Sequence, residues 1–333
     1  MSSRAHTEQY AMKSTQPCVC CKSDGWHHLY SVQDFNQDIP GEWEIVACKK
    51  CGLGRLDPLP DAKDLVSFYD ERFYTEKKKR FTGPVEWLRG ILGRQRVKLI
   101  KDGLPSTPGR FLDFGSGAGH FGSALSELGW EVCNEDISNG RDGKLRMDGD
   151  RIQLDYPDGY FDGVSLWYVI EHMLNPTAGL QEINRVLRKN GVLILAQQDF
   201  LSIQARFFKE NWLILDPPRH IYQFAPSNLV QLADREGFEL LKVKRRCIEM
   251  GPFTILQSAL NMILGNENYL FKFIKAGDLK DGDFDAQTKR KQRVLGMLSV
   301  LLSLVVGPLS LVAYYVLLAM GSGDIFTLSL RKR

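Results

Sequence analysis

The segment Asp113-Phe-Gly-Ser-Gly-Ala-Gly119 constrains the fold more than any other stretch of this chain. It lies between an apolar run at 111–114, which reads as a buried strand, and residues 119–128, which read as a helix. Glycines at such a junction let the backbone turn tightly and come close to a ligand. The helix start adds N–H groups that face a negatively charged part of that ligand. The same alternation continues downstream. Residues 130–136, 161–169, 191–196 and 239–245 read as strands, and 180–187 and 227–237 as helices. Strands separated by helices are joined by crossovers, so the fold class is α/β with a mostly parallel sheet. Residues 252–323 interrupt the rhythm with long apolar stretches, and Asp324-Ile-Phe-Thr-Leu-Ser-Leu-Arg331 alternates like one more strand.

The glycine spacing argues against a dinucleotide. The G-x-G-x-x-G pattern is not met, because position 120 is His and Gly122 comes three after Gly119. An acid, Asp113, precedes the glycines, and Asp136 ends the next strand, where a carboxylate would accept from ribose hydroxyls.

With these features the segment resembles the first motif of class I S-adenosylmethionine-dependent methyltransferases. The similarity continues through Gly149-Asp150, Leu166-Trp-Tyr-Val-Ile-Glu-His172 and Leu187-Arg-Lys-Asn-Gly-Val192. The resemblance implies a Rossmann-like domain with a seven-stranded, mostly parallel sheet. It implies a cofactor, S-adenosyl-L-methionine, held by Asp113, Gly115, Ser116, Gly117 and Gly119, with Asp136 on the ribose, Ile137 next to it and Asp150 near the adenine amine. Asp216-Pro-Pro-Arg-His220 and Phe224 resemble a bacterial subgroup of ubiquinone-type and sugar-modifying methyltransferases that carry a zinc ribbon ahead of the domain. Two departures stand out. A short, glycine-broken segment at 139–149 joins Asp136 to Asp150, and Gln197-Gln198-Asp199 replaces the subgroup's Pro-Asn pair. The substrate edge is therefore expected to differ.

Methyl transfer is an in-line displacement, so the protein mainly aligns the acceptor and, where needed, removes its proton. Glu171 and His172 follow the fourth strand at the carboxyl edge of the sheet, where ligands bind. An imidazole there can take a proton at neutral pH. His220 is a second candidate base, Arg219 an anchor for an anionic acceptor, and Tyr168 a pocket wall. The alternative of hydrogen-bonded structural histidines, with Glu171 capping a helix, stays open. The fourth strand does not end in the Asn/Asp-Pro-Pro-aromatic motif of enzymes that methylate exocyclic amines of bases.

Cys18-x-x-Cys21 and Cys48-x-x-Cys51 form two pairs, and five of the seven cysteines fall within 18–51. Four thiolates satisfy tetrahedral zinc, and a two-residue spacer brings both sulfurs of a pair to one ion. The expected role is structural. Cys20 is an extra thiol, and His27 or His28 are alternative ligands.

From 294 to 320 there are 27 residues without a charge. Gly307-Pro308 divides them into runs of 13 and 12, each too short to cross a hydrocarbon core of about 30 Å. If the last strand returns to the sheet, both ends of the insertion lie on one side of a membrane. Basic flanks at both ends, 289–293 and 331–333, fit the cytoplasmic face. The expectation is a helical hairpin or in-plane pair dipping into one leaflet, aided by 252–264. A homodimer interface and a true span are the rival readings.

The expected organisation is a disordered tail (1–16), a zinc ribbon (17–56), a helical lead-in (57–109), the methyltransferase domain (110–251 and 324–333) and the apolar insertion (252–323). Residues 1–17 have no apolar core of a secretory signal, and reduced cysteines fit the cytoplasm. The expected function is O- or C-methylation of a small or lipid-linked acceptor, such as a sugar, glycan intermediate or quinone-like ring. Net charge is only +3, so the chain is not a polycation. Nine Lys or Arg against one Glu at 77–101 leave RNA methylation as an alternative, disfavoured by the apolar insertion. A non-catalytic membrane scaffold is the alternative of another class.

Overall fold

The computed structural model of the chain describes residues 16–36, 39, 41–68, 84–137, 144–245, 250–265, 267–275 and 286–333. Most of the expected tail (1–15), the start of the basic run (77–83) and part of the connection after Asp136 (138–143) lie outside the described residues. The N-terminal module is an antiparallel meander of β1 (Trp26–Val32), β2 (Trp43–Cys48) and β3 (Gly54–Asp57). Helices α1 (Ala62–Phe68) and α2 (Pro84–Ile100) follow. Then come β4 (Arg110–Phe114), α3 (His120–Ser126), β5 (Glu131–Glu135), β6 (Leu145–Asp148), β7 (Arg151–Leu154) and β8 (Phe161–Trp167). The chain continues through α4 (Pro176–Val186), β9 (Leu187–Gln198), α5 (Ile203–Phe208), β10 (Tyr222–Gln223), α6 (Pro226–Arg235) and β11 (Phe238–Lys244). Helices α7 (Gly251–Leu264), α8 (Tyr269–Lys275) and α9 (Ala286–Ala319) precede the last strand, β12 (Ile325–Lys332).

The main sheet has the order β11-β12-β9-β8-β4-β5. Strands β5, β4, β8 and β9 pair in parallel, and β12 is antiparallel to both β9 and β11. The central strands are apolar on both faces because helices cover both. Leu112, Phe114, Val164, Leu166, Leu193 and Leu195 are almost fully buried, each contributing about 1.5–3 kcal/mol through removal from water. Helix α4 shows how the sequence sets its own boundaries. Asn175 accepts from the Ala178 amide at 3.0 Å, Pro176 occupies the first turn, and Leu180, Ile183 and Val186 face the core at helical spacing.

Two expectations are corrected. The described main sheet has six strands, not seven. Between β5 and β8 the chain folds back at 149–150, so β6 satisfies its backbone with β7 in a separate hairpin. The apolar insertion does not break at Gly307-Pro308, since α9 runs through both. Proline removes one helical hydrogen bond, at a cost of roughly 3 kcal/mol, but tertiary packing overrides that penalty. Tyr314 is buried against Gly251 of α7, and Gly296 lies against Phe273 of α8, so the two halves of α9 are held on either side of the proline. The outer face is apolar and open, with Leu301, Leu304, Val305, Leu309 and Val312 each more than 60% exposed. Residues Arg290–Ala319 are long and apolar enough to cross a membrane by length and composition.

The N-terminal meander is joined to the rest by backbone as well as by core. Strand β10 pairs with β3 and becomes the fourth strand of that sheet. Cys18, Cys20, Trp26 and Leu53 belong to the same apolar cluster as Leu112 and Leu166.

Candidate active site

The glycine-rich turn leaves β4 at its carboxyl end. Gly115 and Ser116 donate their amides to the Glu135 carbonyl at 2.7 and 3.1 Å, which ties the turn to the end of β5. Gly115 has φ +72°, and a Cβ there would lie 2.4 Å from Val169 Cγ2, so the backbone needs glycine for packing as well as torsion. Gly117 differs. Its φ is +55°, yet a Cβ would meet nothing within 4 Å. The turn therefore borders a space that a ligand can fill. Asp136 stands beside it, almost buried, and accepts from the Gly117 amide at 2.9 Å. Ile137 follows, 48% exposed, as an apolar lip.

Asp113 lies behind the turn. Its Oδ1 accepts from the Ser165 hydroxyl at 2.8 Å. Burial pushes its carboxyl up to about 6, while the Ser165 hydrogen bond and the Arg96 charge act in the opposite direction. Asp150 is exposed in the β6–β7 turn, where it accepts from the Asn175 side chain at 2.9 Å. Arg96 was not singled out by the sequence, because it sits within the basic run at 77–101. Its guanidinium lies 4.9 Å from the Trp167 ring centre and 5.5 Å from that of Tyr168. A basic residue on the helix before the first sheet strand was the signal that could have found it.

After β8 the backbone passes through Tyr168 at φ +59° into the turn Ile170–His172. This strained step brings Glu171 and His172 against His220. The two imidazole centroids are 4.8 Å apart, edge to face. His172 Nδ1 is 2.9 Å from the Arg219 carbonyl and His220 Nδ1 is 2.7 Å from the Ile214 carbonyl. A carbonyl only accepts, so each Nδ1 carries the proton and each Nε2 a lone pair. Glu171 Oε1 is 3.9 Å from His220 Nε2. Burial pushes Glu171 up to about 8, with its own amide and the nearby Gln197 side chain opposing. Burial, then the neighbouring His220, brings His172 down to about 3, and burial lowers His220 as well. Both imidazoles are neutral at pH 7. Tyr168 and His220 wall a cavity of roughly 170 Å³ together with Asn36, Gln198, Met250 and Phe271. The N-terminal module, the main sheet and the apolar insertion each contribute to this wall.

Residues 86–243 match the protein family described as a methyltransferase domain. This segment carries the pattern of a methyltransferase domain. A demethylmenaquinone methyltransferase from Beutenbergia cavernae is 34% identical over 117 residues, covering 32% of this chain and 49% of that protein. One of the same name from Clavibacter sepedonicus is 29% identical over 113 residues, covering 31% of this chain and 46% of that one. The chain spans about half the length of the curated relatives it matches. Among solved structures, a SAM-dependent methyltransferase from Archaeoglobus fulgidus aligns with a TM-score of 0.42 at 16% identity, over 79% of this chain and 100% of that one. An S-adenosylmethionine-dependent methyltransferase from Mesorhizobium loti aligns with a TM-score of 0.39 at 14% identity, over 71% of this chain and 96% of that one.

The methyltransferase domain does not hold Arg219 out as an anchor for an anion. The side chain is 2% exposed and committed to two carboxylates. Its Nη1 and Nη2 donate to Asp34 at 3.0 and 2.8 Å, and its Nε and Nη2 to Asp216 at 3.0 and 2.6 Å. This places Arg219 as a bolt between the domain and the N-terminal module, a use that the separation of 185 residues hides from sequence. Asn36 extends the network to Asp216 and to Asn268, and Asn268 meets Asn261 of α7 at 2.8 Å.

The four paired cysteines of the N-terminal module converge. The sulfurs of Cys18, Cys21, Cys48 and Cys51 lie within 4.8 Å of one another, with Cys18–Cys51 at 3.5 Å and Cys21–Cys48 at 3.4 Å. Tetrahedral zinc wants sulfurs about 3.8 Å apart, so the donor set fits that ion. Each pair closes the same turn. Lys22 N donates to Cys18 O at 2.8 Å and Gly52 N to Cys48 O at 2.9 Å. Cys20 is buried beside the four without joining them, His27 is exposed, and His28 pairs with Glu44.

Proposed function

We propose that this chain is an S-adenosylmethionine-dependent methyltransferase that acts on oxygen or carbon of a small or lipid-linked acceptor at the cytoplasmic face of a membrane. The observation that carries this reading is the open space at Gly117 beside Asp136, with the cavity walled by Tyr168 and His220 as a second opening. When bound, S-adenosylmethionine supplies a methyl carbon activated by sulfonium. The chain's residues hold and orient. Gly117 and Asp136 position the ribose end, and Asp113 with Arg96 sets the charge behind the turn. His220 faces the cavity and orients the acceptor there, beside His172 and Glu171. Among acceptors, a quinone-like ring is favoured by the names of the similar proteins and by the aromatic and aliphatic cavity wall.

The Cys18, Cys21, Cys48 and Cys51 sulfurs fit a structural zinc ion that holds the N-terminal module against the domain. Helix α9 supports membrane association in one leaflet rather than across it. One face packs on α7 and α8 along its length, and the other is a continuous apolar stripe. RNA as acceptor is less favoured, since Arg96 of the basic run turns inward on Trp167.

Purified chain incubated with methyl-labelled S-adenosylmethionine and reduced naphthoquinones or lipid-linked sugars tests the reading. The expected result is label in one lipid-soluble product, lost at least tenfold in Asp136→Ala. Absence of any calorimetric binding of S-adenosylmethionine to the intact chain overturns it.

A further inference from the structure

We propose that Glu171, His172 and His220 form a binding site for a divalent transition-metal ion at the edge of the Tyr168 cavity. Their ligand atoms, one per residue, lie within 4.8 Å of one another. An ion bound at about 2.0–2.2 Å brings such atoms to roughly 3–3.5 Å, a contraction that small side-chain rotations supply. Three further features point to a cation.

The first is the carboxylate. Glu171 is 1% exposed, and neither of its oxygens makes a hydrogen bond of standard geometry among the described residues, although its own amide and the Gln197 side chain lie near. Buried polar atoms in folded proteins are almost always well satisfied, so a buried carboxylate held this loosely has lone pairs to give an occupant. The second is the tautomer. Both histidines donate from Nδ1 to a backbone carbonyl, Arg219 O for His172 and Ile214 O for His220. That outer bond is the usual device that fixes the tautomer and orientation of a metal-binding imidazole. The third is charge. The nearest guanidinium, Arg219, is matched by the two carboxylates of Asp34 and Asp216, so this wall does not repel a cation.

Two imidazoles and one carboxylate suit zinc, manganese, iron or cobalt better than magnesium or calcium. Three protein donors leave coordination positions open. His220 lines the cavity, so the open positions face a space where an oxygen of the acceptor can bind. Metal binding itself does not depend on methyl transfer. Only the acceptor's contact with the ion rests on the function proposed above.

The test titrates the intact, as-purified chain with cobalt(II), without cofactor or acceptor, and follows visible absorption and bound metal. The expected result is one added cobalt per chain with ligand-field bands and no thiolate charge transfer. Cobalt affinity falls at least tenfold in Glu171→Gln and in His220→Gln. Unaltered affinity in folded Glu171→Gln and His220→Gln overturns the site. If these variants do not fold, the wild-type spectrum decides. A saturable nitrogen–oxygen band supports the site, and no band, or only thiolate charge transfer, overturns it. A metal-binding chain that transfers no methyl group overturns the function and leaves the site standing.

Discussion

Asp113 is a carboxyl held where a negative charge is costly, behind a turn that borders the space for a cationic ligand. Burial raises it to about 6 in the folded chain, against about 3.9 when unfolded. The folded state therefore binds this proton more tightly. Its contribution to stability is full below about pH 4 and is lost as pH rises through 6. A sulfonium or ammonium nearby favours the charged form and reverses the preference. Affinity for S-adenosylmethionine is thus expected to rise with pH through 6, by at most tenfold per unit, and to level off above 7. Calorimetry between pH 5 and 8 reads this directly, and Asp113→Asn should give a flat profile. A flat profile in the wild type would separate Asp113 from the cofactor charge. Asp113 and Asp136 were legible because an acid before three glycines and an acid ending the next strand are local patterns. Arg96 was not, because one inward-facing arginine looks like its neighbours in a basic run. Only packing on Trp167 and Tyr168 distinguishes it.

At the scale of elements, local pattern found most strands and helices and failed where tertiary contacts override it. The apolar run of β8 and the Asn175–Pro176 start of α4 carry their own signals. The continuous α9 does not, since Gly307-Pro308 reads as a break until Tyr314 and Gly296 are seen packed on α7 and α8. The hairpin of β6 and β7 is a similar case, in which one local turn removes a strand from the main sheet. The least legible element contact joins the N-terminal module to the methyltransferase domain through Asp34 and Arg219. Breaking a buried ion pair by neutralising one partner leaves the other charge short of compensation, typically by 3–5 kcal/mol. Asp216 still faces Arg219, so Asp34→Asn is expected at the lower end, about 3 kcal/mol, measured as a lowered urea midpoint. Affinity for S-adenosylmethionine should change little, because Asp34 is remote in the network from Gly117. A loss under about 1 kcal/mol would mean that β10 and the shared core, not the ion pair, hold the module.

For the whole molecule, the main asymmetry is the outer face of α9. Leu301, Leu304, Val305, Leu309 and Val312 recur at helical spacing and are each more than 60% exposed. Lys291 and Arg293 lie exposed near the start of the same helix. Five such side chains leaving water contribute on the order of 8 kcal/mol, and basic residues at one end add attraction to anionic headgroups. The cavity wall includes Phe271 from the same insertion. The double substitution Leu304→Glu with Leu309→Glu separates this role from folding, because both side chains already face outward. Binding to vesicles of phosphatidylglycerol and phosphatidylcholine is expected to fall at least tenfold, with the melting temperature and S-adenosylmethionine affinity unchanged. Vesicle binding that survives the substitution removes α9 as the membrane contact. If the wild type instead forms a dimer that the same substitution dissociates, and vesicles are not bound, the stripe is an interface between two copies, and the acceptor must reach the cavity from water.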